Sequence, residues 1–596
     1  MTKRPGRAGV AGSSGSARLA RPPGLARSGT TGTAGLIAIG VSVACTFAVA
    51  VAGPSVMEPV LPGRPGQPPW SLGLNPSPYL AVGLTAAGLA AGTLGLVLVL
   101  RAVHGGWSVP ARAVLVAGLL AAAALTLVPP FGSSDHLSYA AYGRMLVTGY
   151  NPYTTTPAQL AALGDPVARA VQDWSGSPSV YGPLATAIQG LASLAGGTSV
   201  RLTVFVLGLA NLAAFAVTAL LLHRMTRRHP AQQLRAALLW ACNPLLLQVL
   251  VAGAHVDGQA IVFGVAAVAV MFGPWPWPGP GGRGGRGGLG EKVSPQEREG
   301  FGGGRPPRAS TSLVAGVLVG LGFAVKVTAA LVGIGLAIAL VLILGRQWRR
   351  LVPRLTALGA GFAVTAGAAV AIGGPAMLRQ SSRASDMVSI GSPWRVIRTV
   401  IHLAVAGTAA TDIVKFGAIA LAVVLAALLV RGLPARVGGT AAFALALAWL
   451  FAWPYVLPWY DALAWALLPL VPLAPWTAVE ALGWLLLART AALGFGYLPA
   501  RQTDAALPSG LSWLQPVVRH GITPVVLAGT TAWLVVLMVR AGQPVRLARR
   551  VPEDSPPAPL SGAPPGVLPK AGQQAPSGAL PTGAPPARRT AREARR

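Results

Sequence analysis

The sequence predicts an all-α integral membrane protein, a bundle of about 13–14 transmembrane helices whose extracytoplasmic loops carry short helices. Three observations predict it. Of 596 residues, 53% are hydrophobic and 11% charged, against roughly 25% charged in an ordinary soluble domain. Apolar stretches of about 20 residues recur without a charge. The basic residues gather in alternate connections between these stretches, as they do where cytoplasmic loops are marked by Lys and Arg. So much apolar material also excludes a chain that is disordered throughout.

Residues 1–30 hold Lys3, Arg4, Arg7, Arg18, Arg21 and Arg27 and no acid, which reads as a disordered basic cytoplasmic tail. The first span follows at 34–53. Its apolar run is long for a signal-peptide core and many spans follow it, so it reads as a retained helix. Further spans fall near 78–100, 111–130, 201–222, 234–252 and 259–273, then 312–325, 328–345 and 355–373. The last are near 411–430, 438–452, 461–475, 478–495 and 521–540. The stretch 312–345 is either one overlong helix or a hairpin turning near Lys326. Only a hairpin keeps the loops around Arg346/Arg349/Arg350/Arg354 and Arg431/Arg436 on the side of the N-terminal tail.

The membrane domain is therefore expected over 31–545. A Pro/Gly-rich cytoplasmic linker at 274–310 and a Pro/Arg-rich cytoplasmic tail at 546–596 should be flexible. Most of the net charge of +31 lies on the cytoplasmic side of this arrangement, so it is a topology signal and implies no nucleic-acid partner. The GGRGGRGG run of the linker is too short to change that, and it lacks the order of a phosphate-binding loop. Cys45 and Cys242 sit in apolar runs and suggest neither a disulfide framework nor a thiolate metal site.

Outside the linker and tails the acids are Glu58, Asp135, Asp165, Asp173, Asp257, Asp386, Asp412, Asp461, Glu480 and Asp504. All but Glu480 map to the outer side, which points to an extracytoplasmic site in the plasma membrane. The loop 131–200 is the long outer loop that carries chemistry. Asp135 follows a span by a few residues, and on a helix it would share a face with Tyr139 and Tyr142. The alternative is a capped amphipathic helix lying on the membrane, with Ser133 or Ser134 as N-cap. Tyr153, Trp174 and Tyr181 are positioned either to stack on sugars or to form an interfacial belt. His255 and Asp257 occupy a very short outer turn, where they either approach the Asp135 site or cap the following helix, and Trp459 and Tyr460 occupy another, as acceptor-stacking rings or an aromatic belt. The outer loop 374–410 carries Arg379, Arg383, Arg395 and Arg398 against the positive-inside trend, so it is a candidate anion site or a lipid contact.

These motifs carry a resemblance. Asp135, Tyr139, Gly143, Gly149-Tyr150-Asn151-Pro152-Tyr153, Trp174 and Tyr181-Gly182-Pro183 resemble the first catalytic loop of actinobacterial polyprenyl-phosphomannose-dependent α-1,6-mannosyltransferases, which have the GT-C fold. The likeness continues at Asn243-Pro244-Leu245-Leu246 and at Tyr455 to Leu470. It also includes His255-Val256-Asp257, close to a His-Asn-Asp motif but with Val256 at the middle position.

The resemblance implies an inverting glycosyltransferase of cell-envelope biosynthesis. Mannose would pass from polyprenyl-phosphomannose to a mannan or lipomannan-type glycolipid on the outer face of the bilayer, with an α-1,6 link. It implies Asp135 as general base, aided by His255 and Asp257. Lys326, Arg383, Arg395 and Arg398 are candidates for the donor phosphate. Tyr139, Tyr153, Trp174, Tyr181, Trp459 and Tyr460 are candidates for sugar and acceptor. No cofactor is expected. With His136 after Asp135 and no Asp-x-Asp anywhere, the donor phosphate is the one route by which a divalent metal would be held. Two other readings compete: a GT-C transferase using another polyprenyl-phospho-sugar, and a flippase or transporter for lipid-linked sugars. The second would place ionisable groups at mid-membrane in repeated halves, and no such repeat is visible.

Overall fold

The computed structural model describes residues 23–273, 307–404, 408–434, 438–472, 477–499 and 507–541. The tail expected at 1–30 up to residue 22, the linker over 274–306 and the tail 546–596 lie outside the described residues. The first helix begins at Pro23 and runs to Ala52, so it starts within the segment expected to be tail.

Among the described residues the fold is all-helical, with a lone bridge between Ser55 and Glu58. Nine helices among the described residues are long and apolar enough to cross a membrane, and four shorter apolar helices accompany them: Ala111–Thr126, Asp257–Phe272, Ala309–Val325 and Thr440–Ala452. Short helices occupy the 131–200 loop. The chain is thus a multi-span membrane bundle of the expected class. The 312–345 stretch is two helices, Ala309–Val325 and Ala330–Leu344, parted at Lys326 by extended backbone and a single 3-10 turn. The segment expected as a span at 461–475 is instead a broken run of short turns around the helix Ala462–Leu467. Pro458 and Pro469 each remove a donor from that ladder.

Burial sorts the spans into inner and outer. Pro230–Ala252 is 94% buried over its apolar window, whereas Trp348–Ser385 and Ala409–Gly432 reach only 22% and stand at the lipid-facing edge. The central helix bends at Asn243-Pro244, where proline ends one ladder and starts the next. There the Asn243 side chain accepts from the N–H groups of Leu245 and Leu246, and its amide donates to the Leu239 carbonyl at 3.1 Å. One element decides the rest of the site. The helix Asp135–Val147 buries nine of its thirteen residues inside the protein rather than lying on a membrane surface. Gly143 permits this, because a Cβ there would overlap the Gln189 carbonyl of the helix Pro183–Gly196.

Candidate active site

Asp135 opens its helix, with its N–H held by the Ser133 hydroxyl at 3.1 Å. One turn on, Tyr139 meets Tyr181 edge-to-face, and the Tyr181 hydroxyl donates to that of Tyr139 at 3.2 Å. Tyr181 reaches this position because Gly182 lies directly on the chain before Lys326. A Cβ at Gly182 would overlap the Ala324 carbonyl, and its N–H donates to Val325 at 3.0 Å. The Tyr-Gly-Pro turn and the break at Lys326 are therefore one joint. From it the Lys326 ammonium donates to Asp257 Oδ1 at 2.6 Å and sits over the Tyr460 ring, 4.0 Å from its centre. The other Asp257 oxygen is buried without a partner.

His255 faces Asp135 across 3.5 Å, Nδ1 to Oδ2, longer than a hydrogen bond. Its ring stacks on Trp459, centres 3.5 Å apart and planes 15° apart. Tyr497 closes edge-on against Trp459 at 5.3 Å. The loop bearing Asp173 and Trp174 is tied to the first turn of the Asp135 helix. Ser134 donates to the Asp173 carboxylate, and Ser138 donates to its carbonyl at 3.2 Å. Two residues here hold left-handed backbone conformations that side chains disfavour, Ala254 at φ +52° and Trp174 at φ +64°. Such strain collects where surrounding structure over-determines a functional geometry. The Ala254 carbonyl is held by the Asn211 amide at 2.9 Å, which fixes the approach to His255.

The electrostatics follow from burial. Asp135, with 14% of its side chain exposed, is pushed up to about 7 chiefly by desolvation. The Lys326 charge opposes that rise; Asp173 and Asp257 add to it, and Trp174 pulls it back. Burial, with Lys326 and His136 nearby, holds His255 well below the usual imidazole range, so it is neutral. His136 is likewise pushed down to about 3 by burial. The result is a carboxylate able to exchange a proton near neutrality beside a neutral imidazole.

Of the residues singled out from sequence, Asp135, His255, Asp257, Lys326, Tyr139, Tyr181, Trp459, Tyr460 and Trp174 converge on this site. Tyr153 is turned elsewhere: its hydroxyl is 3.0 Å from Thr186 and its ring packs with Ala376 and Met377. Arg383 and Arg395 are exposed, Arg398 is half-buried, and none of the three forms an ion pair among the described residues. Sequence reasoning missed Tyr497 and Arg519. Both line a cavity of about 200 Å³ with Trp174, Tyr455 and the chain at 387–391. The one signal for Arg519 was a basic pair, Arg519-His520, at the edge of an apolar run.

A polytopic helical bundle whose short loop helix presents a semi-enclosed carboxylate, with aromatic walls and a flanking cation, is an arrangement of the kind expected for the GT-C class. Residues 30–343, more than half of the chain, match the family described as alpha-(1->6)-mannopyranosyltransferase, N-terminal domain. The chain belongs to this actinobacterial alpha-1,6-mannopyranosyltransferase family, which has the GT-C fold. It is 33% identical over 150 residues to a probable alpha-(1->6)-mannopyranosyltransferase of Mycolicibacterium smegmatis, covering 25% of this chain and 26% of that protein. An alpha-(1->6)-mannopyranosyltransferase of Mycobacterium tuberculosis is 33% identical over 150 residues, 25% of each chain. Alpha-(1->6)-mannopyranosyltransferase B of Corynebacterium glutamicum is 28% identical over 152 residues, again 25% of each. The chain thus spans about a quarter of the length of these relatives. No solved structure matches it.

Proposed function

We propose that the protein is an inverting mannosyltransferase. It moves mannose from polyprenyl-phosphomannose to a mannan or lipomannan-type acceptor, forms an α-1,6 link, and works at the extracytoplasmic face of the plasma membrane. The observation that carries this reading is Asp135, held near a pKa of about 7 beside a neutral His255. A base titrating near the working pH combines the ionised form with driving force for proton transfer. Inversion needs one such base and no covalent intermediate, as the contrast between the two classes of glycosidase illustrates.

In the step itself the acceptor hydroxyl attacks the anomeric carbon. Its proton goes to an Asp135 carboxylate oxygen, and the bond from that carbon to the phosphate oxygen breaks with its electron pair. Asp257 suits the base role less well, because one of its oxygens is committed to Lys326. Lys326 supplies the positive field that keeps Asp135 from rising further. His255, stacked on Trp459, holds the acceptor side of the base, and Tyr139, Tyr181 and Tyr460 line the sugar.

The test is transfer from polyprenyl-phosphomannose to an α-1,6-mannoside in membranes containing Asp135→Asn. Transfer should fall by roughly 10²–10⁴-fold, the range for loss of a general base. Because burial raises the Asp135 pKa, the aspartate destabilises the fold increasingly as pH climbs from the ordinary carboxylate range to about 7. The stability of the asparagine variant relative to the natural protein should therefore be greater at pH 8 than at pH 5. Full retained transfer would remove Asp135 as the base, and transfer from a nucleotide sugar without a lipid-linked donor would reject the donor class.

A further inference from the structure

We propose that Arg519 binds the phosphate of a lipid-borne phosphate ester in the cavity of about 200 Å³ beside the Asp135 site. This rests on the glycosyl-transfer reading for the chemistry and on separate observations for the place. Arg519 is 4% exposed. Its Nε donates to the Gly496 carbonyl at 2.5 Å and one terminal nitrogen to the Pro499 carbonyl at 3.5 Å, while the guanidinium lies over Tyr497 at 5.3 Å. These contacts aim the group without neutralising it, and no carboxylate pairs with it among the described residues. A buried cation left without a counter-ion is costly unless an anion arrives.

By contrast, Lys326, Arg489, Arg144 and Lys415 are each paired with a carboxylate, Asp257, Asp461, Asp165 and Asp386 respectively. The cavity holds roughly the volume of six waters, so it is large enough for an anion's oxygens and part of a sugar.

Two further features fix the ligand class. Trp174 and Tyr497 line the cavity and also border the base: Trp174 acts on Asp135, and Tyr497 closes on Trp459 under His255. A sugar between Asp135 and Arg519 would thus have its acceptor side toward the base and its phosphate toward the cation. That is the opposition an inverting displacement requires. The electron pair of the broken carbon–oxygen bond then goes to a phosphate already bound by charge-assisted hydrogen bonds. On its other flank the cavity wall at Gly391 leads into the helix Pro393–His402. That helix buries none of its residues and exposes Val396, Ile397 and Val400, with exposed Leu403 just beyond its end. An apolar helix face beside the mouth of an anion site suits a phosphate that arrives on a hydrocarbon chain.

The experiment measures binding of a short polyprenyl phosphate, the corresponding polyprenol and inorganic phosphate to the full chain in lipid nanodiscs. The unmodified protein should bind polyprenyl phosphate more tightly than either the polyprenol or inorganic phosphate. Arg519→Gln should weaken it by about 10–100-fold, as expected for loss of a charged hydrogen-bonding partner. Since Arg519 also braces two carbonyls, Val388→Trp is the second variant. It fills the cavity from its rim, leaves Arg519 in place, and should weaken binding comparably. Unchanged binding in both variants overturns the site, and equal affinity for inorganic phosphate overturns the lipid-borne assignment. If the protein transfers mannose while Arg519→Gln keeps its donor KM, this inference fails and the function stands. If it transfers nothing yet binds polyprenyl phosphate through Arg519, the function fails and the site stands.

Discussion

Two carboxylate–cation pairs in this protein are chemically alike and built for different ends. Asp461 and Arg489 meet at 3.0 Å with 0% and 2% of their side chains exposed. The second Asp461 oxygen lies 2.8 Å from the Thr490 hydroxyl, which accepts from the Trp465 indole at 3.0 Å, and the guanidinium lies over Phe451. Asp257 and Lys326 meet at 2.6 Å with 9% and 13% exposed, beside a small cavity, and one Asp257 oxygen has no partner. The first pair is enclosed and braced by neighbours. The second leaves an acceptor open and sits within the field of Asp135. Each pair keeps one buried atom without a hydrogen-bond partner among the described residues, Asp257 Oδ2 and Arg489 Nη2, so neither burial nor incomplete pairing separates them; the cavity beside Asp257 and the nearness of Asp135 do.

Removing one partner tests the enclosed pair hardest. Arg489→Met should cost about 3–5 kcal/mol, because it leaves Asp461 buried and unpaired. Adding Asp461→Leu should recover most of it. Unfolding midpoints in detergent would check both, and an undiminished midpoint for the single variant would erase the distinction. At the open pair the effect should appear in the pH profile instead. Lys326 lowers the Asp135 pKa and Asp257 raises it. With Asp135 as the proposed base acting in its ionised form, Lys326→Met should move the acid limb of transfer above pH 7 and Asp257→Asn should move it below. Shifts in the same direction would break the argument.

The smallest change near pH 5 is expected at Glu58, a third buried carboxyl, with no ion pair among the described residues. Burial pushes it up to about 9 against the pull of Arg201. Near pH 5, Glu58→Gln should match the natural protein within about 0.5 kcal/mol. From there to pH 9 the natural protein should lose stability that the variant keeps.

Much of the fold was legible because membrane spans are written in composition. The break at Lys326 followed from loop charge alone. The broken run at 461–475 was not legible, since its apolar content is that of a span and only Pro458 and Pro469 hint otherwise. At the site, Asp135, His255, Asp257, Trp459 and Tyr460 stood out because polar and aromatic residues are scarce at helix ends. Arg383, Arg395 and Arg398 stood out because their outer loop runs against the positive-inside trend, yet they lie on exposed or half-buried surfaces. Charge counting registers side chains without their direction. Arg519 was hidden by the reverse problem: its partners are main-chain carbonyls and aromatic faces, which leave no spacing pattern in a sequence.

The stack of His255 on Trp459 has a consequence for biogenesis. His255 lies within the 30–343 family match, whereas Trp459, Tyr497 and Arg519 lie beyond it. During synthesis Asp135 emerges long before the ring that stacks on His255 or the Arg519 cation. A nascent chain halted after the Lys326 break would carry Asp135 and His255 but neither Trp459 nor Arg519. On the proposed function the site is therefore complete only once the helices beyond the family match have packed around it.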